Sequence, residues 1–175
     1  SSLVGSEMCI RDRPYPGGPE LEKLALEGDP MKYPFHSALN SSAEEADFSF
    51  SGIKTAVVNL MHNAAQKGET LSRADIAASF QRAVCDTLTL KAVHAAKEHG
   101  FNTLALAGGV SANRALRSSL ARACEDQGIR FCCPDFRYCT DNAAMIACAG
   151  HYALMAGELS GLDLNAAPEL PLVQR

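Results

Sequence analysis

The stretch LALAGGVSANRALR, Leu104–Arg117, decides the fold. Its first half is a short apolar run, the composition of a strand buried in a parallel sheet. From Asn113 onward, apolar residues recur at helical spacing as far as Asp126, and Gly128 closes the pattern. Between the two halves stand Gly108 and Gly109. Glycine permits the bend and leaves bare backbone for a ligand to approach. The start of the following helix presents N–H groups and the positive end of its dipole, which suit a phosphate or a carboxylate. Asn113, in the first turn, either caps that helix or bonds the ligand. A plain strand–turn–helix joint with no ligand is the alternative.

Upstream, the spacing predicts a long helix from Arg73 to Glu98. Ile76, Phe80, Val84 and Leu88 fall four apart and make a core stripe. Gly100 ends it, and a strand is expected over Phe101–Ala107. Earlier still, FSFSGIKTAV steps from extended chain into a helix, Ile53 to Gln66. Ser51 there is a candidate N-cap, and with Ser49, Gly52, Lys54 and Thr55 it is also a candidate second backbone cradle. GxxxxGK[ST] is absent, so this is not a Walker loop. PYPGGPELEKLALEGDP begins with a Pro/Gly turn and runs into a short helix, Glu20 to Glu27, with Gly28 past its end. A strand is expected near Pro34–Leu39. Downstream, Ile129–Cys133 reads as another strand, Asp141 to Gly157 as an Ala-rich helix, and the tail as Pro-broken loop. Strands alternating with helices imply an α/β lobe with parallel strands.

The chain has 175 residues, enough for one domain or one lobe of a two-lobed protein. With 47% hydrophobic residues it can form a real core, and its net charge of −4 speaks against a basic coat for nucleic acid. The seven cysteines form no CxxC pair, and most stand among apolar neighbours, so they read as small buried hydrophobes of a reducing cytosol. No apolar run is long enough to span a membrane. Residues 1–13, SSLVGSEMCIRDR, lack periodicity and a signal-peptide layout; they are expected to be a leader foreign to residues 14–175. His94 and His99 lie about 140° apart on a helix and share no face. With His36, His62 and His151 isolated, the histidines suggest no ligand set, and HExxH is missing.

In CTDNAAMIA, Asp141 heads a helix. An acid there is stabilised by the dipole, and capping is one reading. Holding a divalent metal is the other, although one carboxylate does not make a site.

Taken together, PYPGGPELEKLA, FSFSGIKTAV, ADIAASFQRAV, LALAGGVSANRALR and CTDNAAMIA resemble the TsaD/Gcp family of tRNA adenosine threonylcarbamoyltransferases. The resemblance covers about residues 14–172 and corresponds to the second half of the family's chain. It implies the two-lobed ASKHA fold of actin and Hsp70, here as one lobe. It implies transfer of threonylcarbamoyl from threonylcarbamoyl-AMP to N6 of adenosine 37 in ANN-decoding tRNAs, in the cytoplasm, with TsaB and TsaE as partner proteins. By position in the motifs, it assigns substrate binding to Gly18, Glu22, Gly108, Gly109 and Asn113. It assigns Asp141 as a ligand of one divalent metal, iron or zinc. It names no general base among these residues.

Three departures accompany the resemblance. The family's HxxxH metal ligands and its GEAFDK-like stretch have no counterpart in this sequence, and KYPFHSAL replaces an FPRP-containing segment. The chain is therefore expected to hold one of three metal ligands and half of a cleft, and to be inactive alone. Two other readings are kept beside this one. The first is another ASKHA enzyme, a small-molecule or acyl phosphotransferase. The second is a non-catalytic lobe that serves as a binding partner.

Overall fold

A computed structural model describes residues 17–35, 48 and 50–165. The expected leader, His36 and most of the expected strand at Pro34–Leu39 lie outside the described residues. The chain divides into two compact units, residues 1–139 and 140–175.

The first unit is built around one long helix. Helix α1 spans Gly17–Ala25, α2 spans Phe50–Lys67, and α3 spans Arg73–Glu98. Strand β1 is Thr103–Ala105, α4 is Arg114–Asp126, and β2 is Arg130–Cys132. Single 3₁₀ turns at Gly109–Ala112 and Phe136–Tyr138 follow β1 and β2. The second unit contains α5, Ala143–Met155, whose apolar side chains occupy its whole circumference.

The α/β reading holds: β1 and β2 pair in parallel, Leu104 opposite Phe131, with α4 as the crossover between them. Both strands are shorter than the apolar runs suggested. Leu104 and Phe131 are half-buried, whereas Thr103 and Ala105 face solvent. Leu104 and Phe131 pack on α3 and α4, joined to Val93, Ala96, Cys124 and Ile129.

Helix α3 follows the sequence reading to the residue. Ser72 caps it, its hydroxyl accepting from the Asp75 N–H at 3.2 Å. Gly100, at φ 68°, takes the left-handed conformation that terminates it. Ile76 of the expected stripe is buried, and Phe80, Val84 and Leu88 are half-buried. Through different faces, α3 packs on α1 with Ala77 and Ala78, on α2 with Ile76, and on α4 with Cys85.

Several boundaries move. The first helix starts at Gly17, three residues early, because Pro19 needs no N–H in a first turn. The second starts at Phe50, so Ser51 lies inside its first turn instead of capping it, and its carbonyl accepts from the Thr55 hydroxyl at 2.9 Å. Of the six described cysteines, all free, only Cys85, Cys124 and Cys139 are buried; Cys132 is half-buried, and Cys133 and Cys148 are exposed.

Candidate functional site: the glycine turn and its supports

The chain leaves β1 with the Leu106 N–H bonded to the Cys132 carbonyl at 2.9 Å. Gly108 then adopts φ 85°, ψ 176°, a region closed to side chains that carry a Cβ. The space around Gly108 and Gly109 is open: a Cβ at either would meet nothing within 4 Å. The glycine pair thus leaves an exposed stretch of bare backbone at the end of a strand. A 3₁₀ turn follows, closed by the Ser111 N–H on Gly108 and the Asn113 N–H on Val110, each at 3.0 Å.

Asn113 is the N-cap of α4, not its first helical residue. Its Oδ1 accepts from the Leu116 N–H at 2.9 Å, and its Nδ2 donates to Gln81 Oε1 of α3 at 3.0 Å. Glu22 of α1 reaches the same helix end, Oε1 accepting from the Arg114 N–H at 2.7 Å. This corrects one expectation. Two N–H groups in the first turn of α4 are not free for a phosphate, because side chains of this chain already satisfy them. What remains open is the glycine backbone in front of the helix.

Gly18 lies in the first turn of α1, half-buried and with open space at its α-carbon. Gly18, Glu22, Gly108, Gly109 and Asn113 thus belong to one unit. Glu22 and Asn113 converge on a single helix N-terminus.

Arg117 was not singled out in the sequence, yet it organises the turn. Its Nε donates to the Ser111 carbonyl, and its Nη2 donates to the Pro134 carbonyl at 2.7 Å and to Cys139 Sγ at 3.0 Å. Its guanidinium lies 4.0 Å from the centre of the Phe136 ring. One side chain therefore ties the glycine turn to the loop after β2, using donors in a fixed plane. Ser111 was also missed. It is fully buried, and its hydroxyl has no hydrogen-bond partner among the described residues. Gln81 was the third omission. In sequence these three are an arginine, a serine and a glutamine at ordinary helical or turn positions, and only their tertiary contacts distinguish them.

Cys85 sits in the wall behind Glu22. Burial pushes its thiol from 9.0 up to about 12, with the Asp86 and Glu22 carboxylates adding to the rise. Burial likewise raises the Cys124 thiol. Neither is a nucleophile at neutral pH.

Asp141 belongs to the second unit and is exposed. It does not cap α5. Asn142 does, its Oδ1 accepting from the Met145 N–H at 3.1 Å. Among the described residues, no group of three or more His, Cys, Asp or Glu is placed to hold a metal ion. The described residues alone do not fit a metal centre. No helix among them is long and apolar enough to cross a membrane.

Residues 9–148 match the family model described as TsaD, tRNA N6-adenosine threonylcarbamoyltransferase. Proteins carrying that name are similar over nearly the whole chain. The one from Moorella thermoacetica is 50% identical over 159 residues, which are 91% of this chain and 46% of the relative. That from Caldicellulosiruptor saccharolyticus is 46% identical over 161 residues, 92% and 47%. That from Geobacillus thermodenitrificans is 48% identical over 161 residues, 91% and 46%. The chain spans about half the length of the curated relatives it matches.

Proposed function

This chain belongs to the TsaD family, and on that premise we propose that it supplies the adenylate-holding half of a tRNA N6-adenosine threonylcarbamoyltransferase. The observation that carries the reading is the Glu22–Arg114 contact at 2.7 Å. It joins the helix that carries Gly18 to the start of the helix that follows the GGVSAN turn, two motifs far apart in sequence.

The donor is threonylcarbamoyl-AMP, a mixed carbamic–phosphoric anhydride. Bare backbone at Gly108 and Gly109 lets the adenylate lie against the turn, and Gly18 leaves room beside α1. Asn113 and Glu22 hold the turn in shape, and each retains an oxygen lone pair for a ribose or amine hydrogen. Fixing the anhydride lets the N6 amine of adenosine attack from one direction. The new C–N bond forms as the C–O bond to phosphate breaks, AMP leaves with the electron pair, and the amine proton passes to solvent. In this reading Asp141 is the one ligand the chain brings to a divalent metal, iron or zinc. On this reading the remaining ligands would be supplied from outside the span of this chain. TsaB- and TsaE-like proteins are the proposed partners, and the cytoplasm, where tRNA is modified, the proposed location.

The test is a transfer assay with threonylcarbamoyl-AMP and an ANN-decoding tRNA, read by mass spectrometry of nucleosides. The chain alone is expected to bind AMP calorimetrically and to give no product. Adding the separately expressed first half of the Moorella thermoacetica relative is expected to restore product. No AMP binding and no restored product would refute the proposal, whereas product from the chain alone would overturn its division of labour.

A further inference from the structure

We infer that the 3₁₀ turn Phe136–Tyr138, with Arg114 beside it, is a contact surface for single-stranded RNA, a base stacking on its exposed rings and phosphates pairing with its arginines. The inference rests on the proposed transfer to tRNA for the identity of the RNA, but not for the chemistry of the surface.

The first observation is charge. The chain carries a net −4. Residues 101–139 nevertheless hold five arginines, no lysine and three acids, a surplus of two positive charges. Planar guanidinium groups recognise phosphate in bidentate fashion and also stack on bases, which lysine cannot do.

The second is layering. Phe136 is 50% exposed and Tyr138 40% exposed, in a chain with only seven Phe and four Tyr. Both rings already carry cations: Arg117 at 4.0 Å and Arg114 at 5.8 Å from Phe136, and Arg137 at 4.7 Å from Tyr138. Arg117 is held by backbone carbonyls and fixes the Phe136 ring from beneath. Arg137 is different. Its side chain is 71% exposed and its ion pair with Asp135 is long, 3.8 Å. Such a surface pair is weak, so Arg137 is available to a phosphate. Alternating aromatic rings and guanidinium planes are the stacking platform of single-strand binders.

The third is position. Arg114 opens α4 directly after the glycine turn, and Arg117 ties that turn to the patch. An RNA loop lying on Phe136 would bring its neighbouring base to the rim of the open glycine backbone.

The experiment is fluorescence anisotropy with a labelled, unmodified anticodon stem-loop RNA whose loop carries the adenosine to be modified, titrated with the full chain. Phe136→Ala is expected to weaken binding about tenfold, the loss of one stacked base. Arg137→Ala is expected to weaken it severalfold and to reduce the salt slope by about one. Asp135→Asn, which frees Arg137, is expected to tighten it. Tyr138→Ala and Arg137→Glu, at exposed positions, keep the test decisive where Phe136→Ala does not fold. No RNA binding, or binding indifferent to all of these substitutions, overturns the inference. AMP calorimetry on the same preparations reads the adenylate proposal separately, so failure of one is not failure of the other.

Discussion

Asn113 is the residue whose replacement separates scaffold from ligand chemistry. Its side chain makes two bonds of different kinds: Oδ1 caps α4 at Leu116, and Nδ2 reaches Gln81 on α3. Alanine removes both. Loss of an N-cap costs about 1 kcal/mol, and loss of a half-buried side-chain bond about 1 kcal/mol more. The sum, about 2 kcal/mol, corresponds to roughly 4–8 °C in Tm for a chain of this size. Asn113→Asp behaves differently. The carboxylate keeps the cap, and it gains from the helix dipole. Gln81 can turn its amide over and donate to it. Its stability should therefore fall by less than about 0.5 kcal/mol. A negative charge in front of the glycine turn would, however, repel an adenylate phosphate. The assay is urea unfolding followed by circular dichroism, run beside AMP calorimetry. The expected pattern is Asn113→Ala weak in stability and Asn113→Asp weak only in AMP binding. In a Gln81→Ala background, Asn113→Ala should lose only the capping part, about 1 kcal/mol. If Asn113→Asp is destabilised as much as Asn113→Ala, the capping argument is wrong. If it binds AMP like the native chain, the phosphate does not lie where the turn places it.

Two further outcomes follow from the same wall of the site. Glu22→Ala leaves the Arg114 N–H without its charged acceptor and should cost about 1 kcal/mol in urea unfolding, whereas Glu22→Gln, which keeps a carbonyl acceptor at that position, should lose about half of this; equal losses for the two would refute the bond to Arg114. For Cys85 the folded thiol stands at about 12 and the unfolded one near 9.0, so its stabilising contribution is complete below about pH 9 and is lost as pH rises toward the folded value, at about 1.4 kcal/mol per pH unit. Urea unfolding at about pH 9 and pH 10 should show that extra loss in the native chain and not in Cys85→Ala, while the raised Cys124 thiol contributes equally to both.

What could be read from sequence is what local signals specify. Helix α3 was legible because its apolar stripe repeats at helical spacing and Gly100 acts on its own neighbours; its cap, Ser72, emerged only in the structure. The glycine turn was legible because φ 85° at Gly108 admits little else. The start of α5 was misread for a local reason too. Asp141 and Asn142 are adjacent, both are good caps, and an acid is the natural choice beside a dipole; the backbone makes Asn142 the cap. Longer separations were opaque. Nothing in ELEKLA says that Glu22 satisfies Arg114, ninety-two positions away. Nothing in RALRSS says that Arg117 holds Ser111, Pro134 and Cys139 together, since an arginine on an amphipathic helix ordinarily points to water.

The Glu22–Arg114 bond depends on α3, the helix that packs on both α1 and α4. Helix α1 lies on Ala77 and Ala78, two side chains small enough to let it come close. Just past α1, Gly28 passes so near the start of α3 that a Cβ there would sit 2.1 Å from the Ala74 carbonyl oxygen. Only glycine fits that crossing. Polar contacts then fix the segment that follows. The Asp29 N–H donates to Asp75 at 2.9 Å, the Tyr33 N–H donates to the Ser79 hydroxyl at 3.1 Å, and that buried hydroxyl returns its proton to the Asp29 carbonyl at 3.2 Å. On the other side, Gln81 and Thr89 of the same helix hold Asn113 and Ser119 of α4. One rigid helix therefore sets where both α1 and α4 can be, and Glu22 meets Arg114 as a consequence. In the proposed site the residues that would face a ligand are few and locally ordinary; their arrangement comes from α3, whose side chains hold α1 and α4 in place.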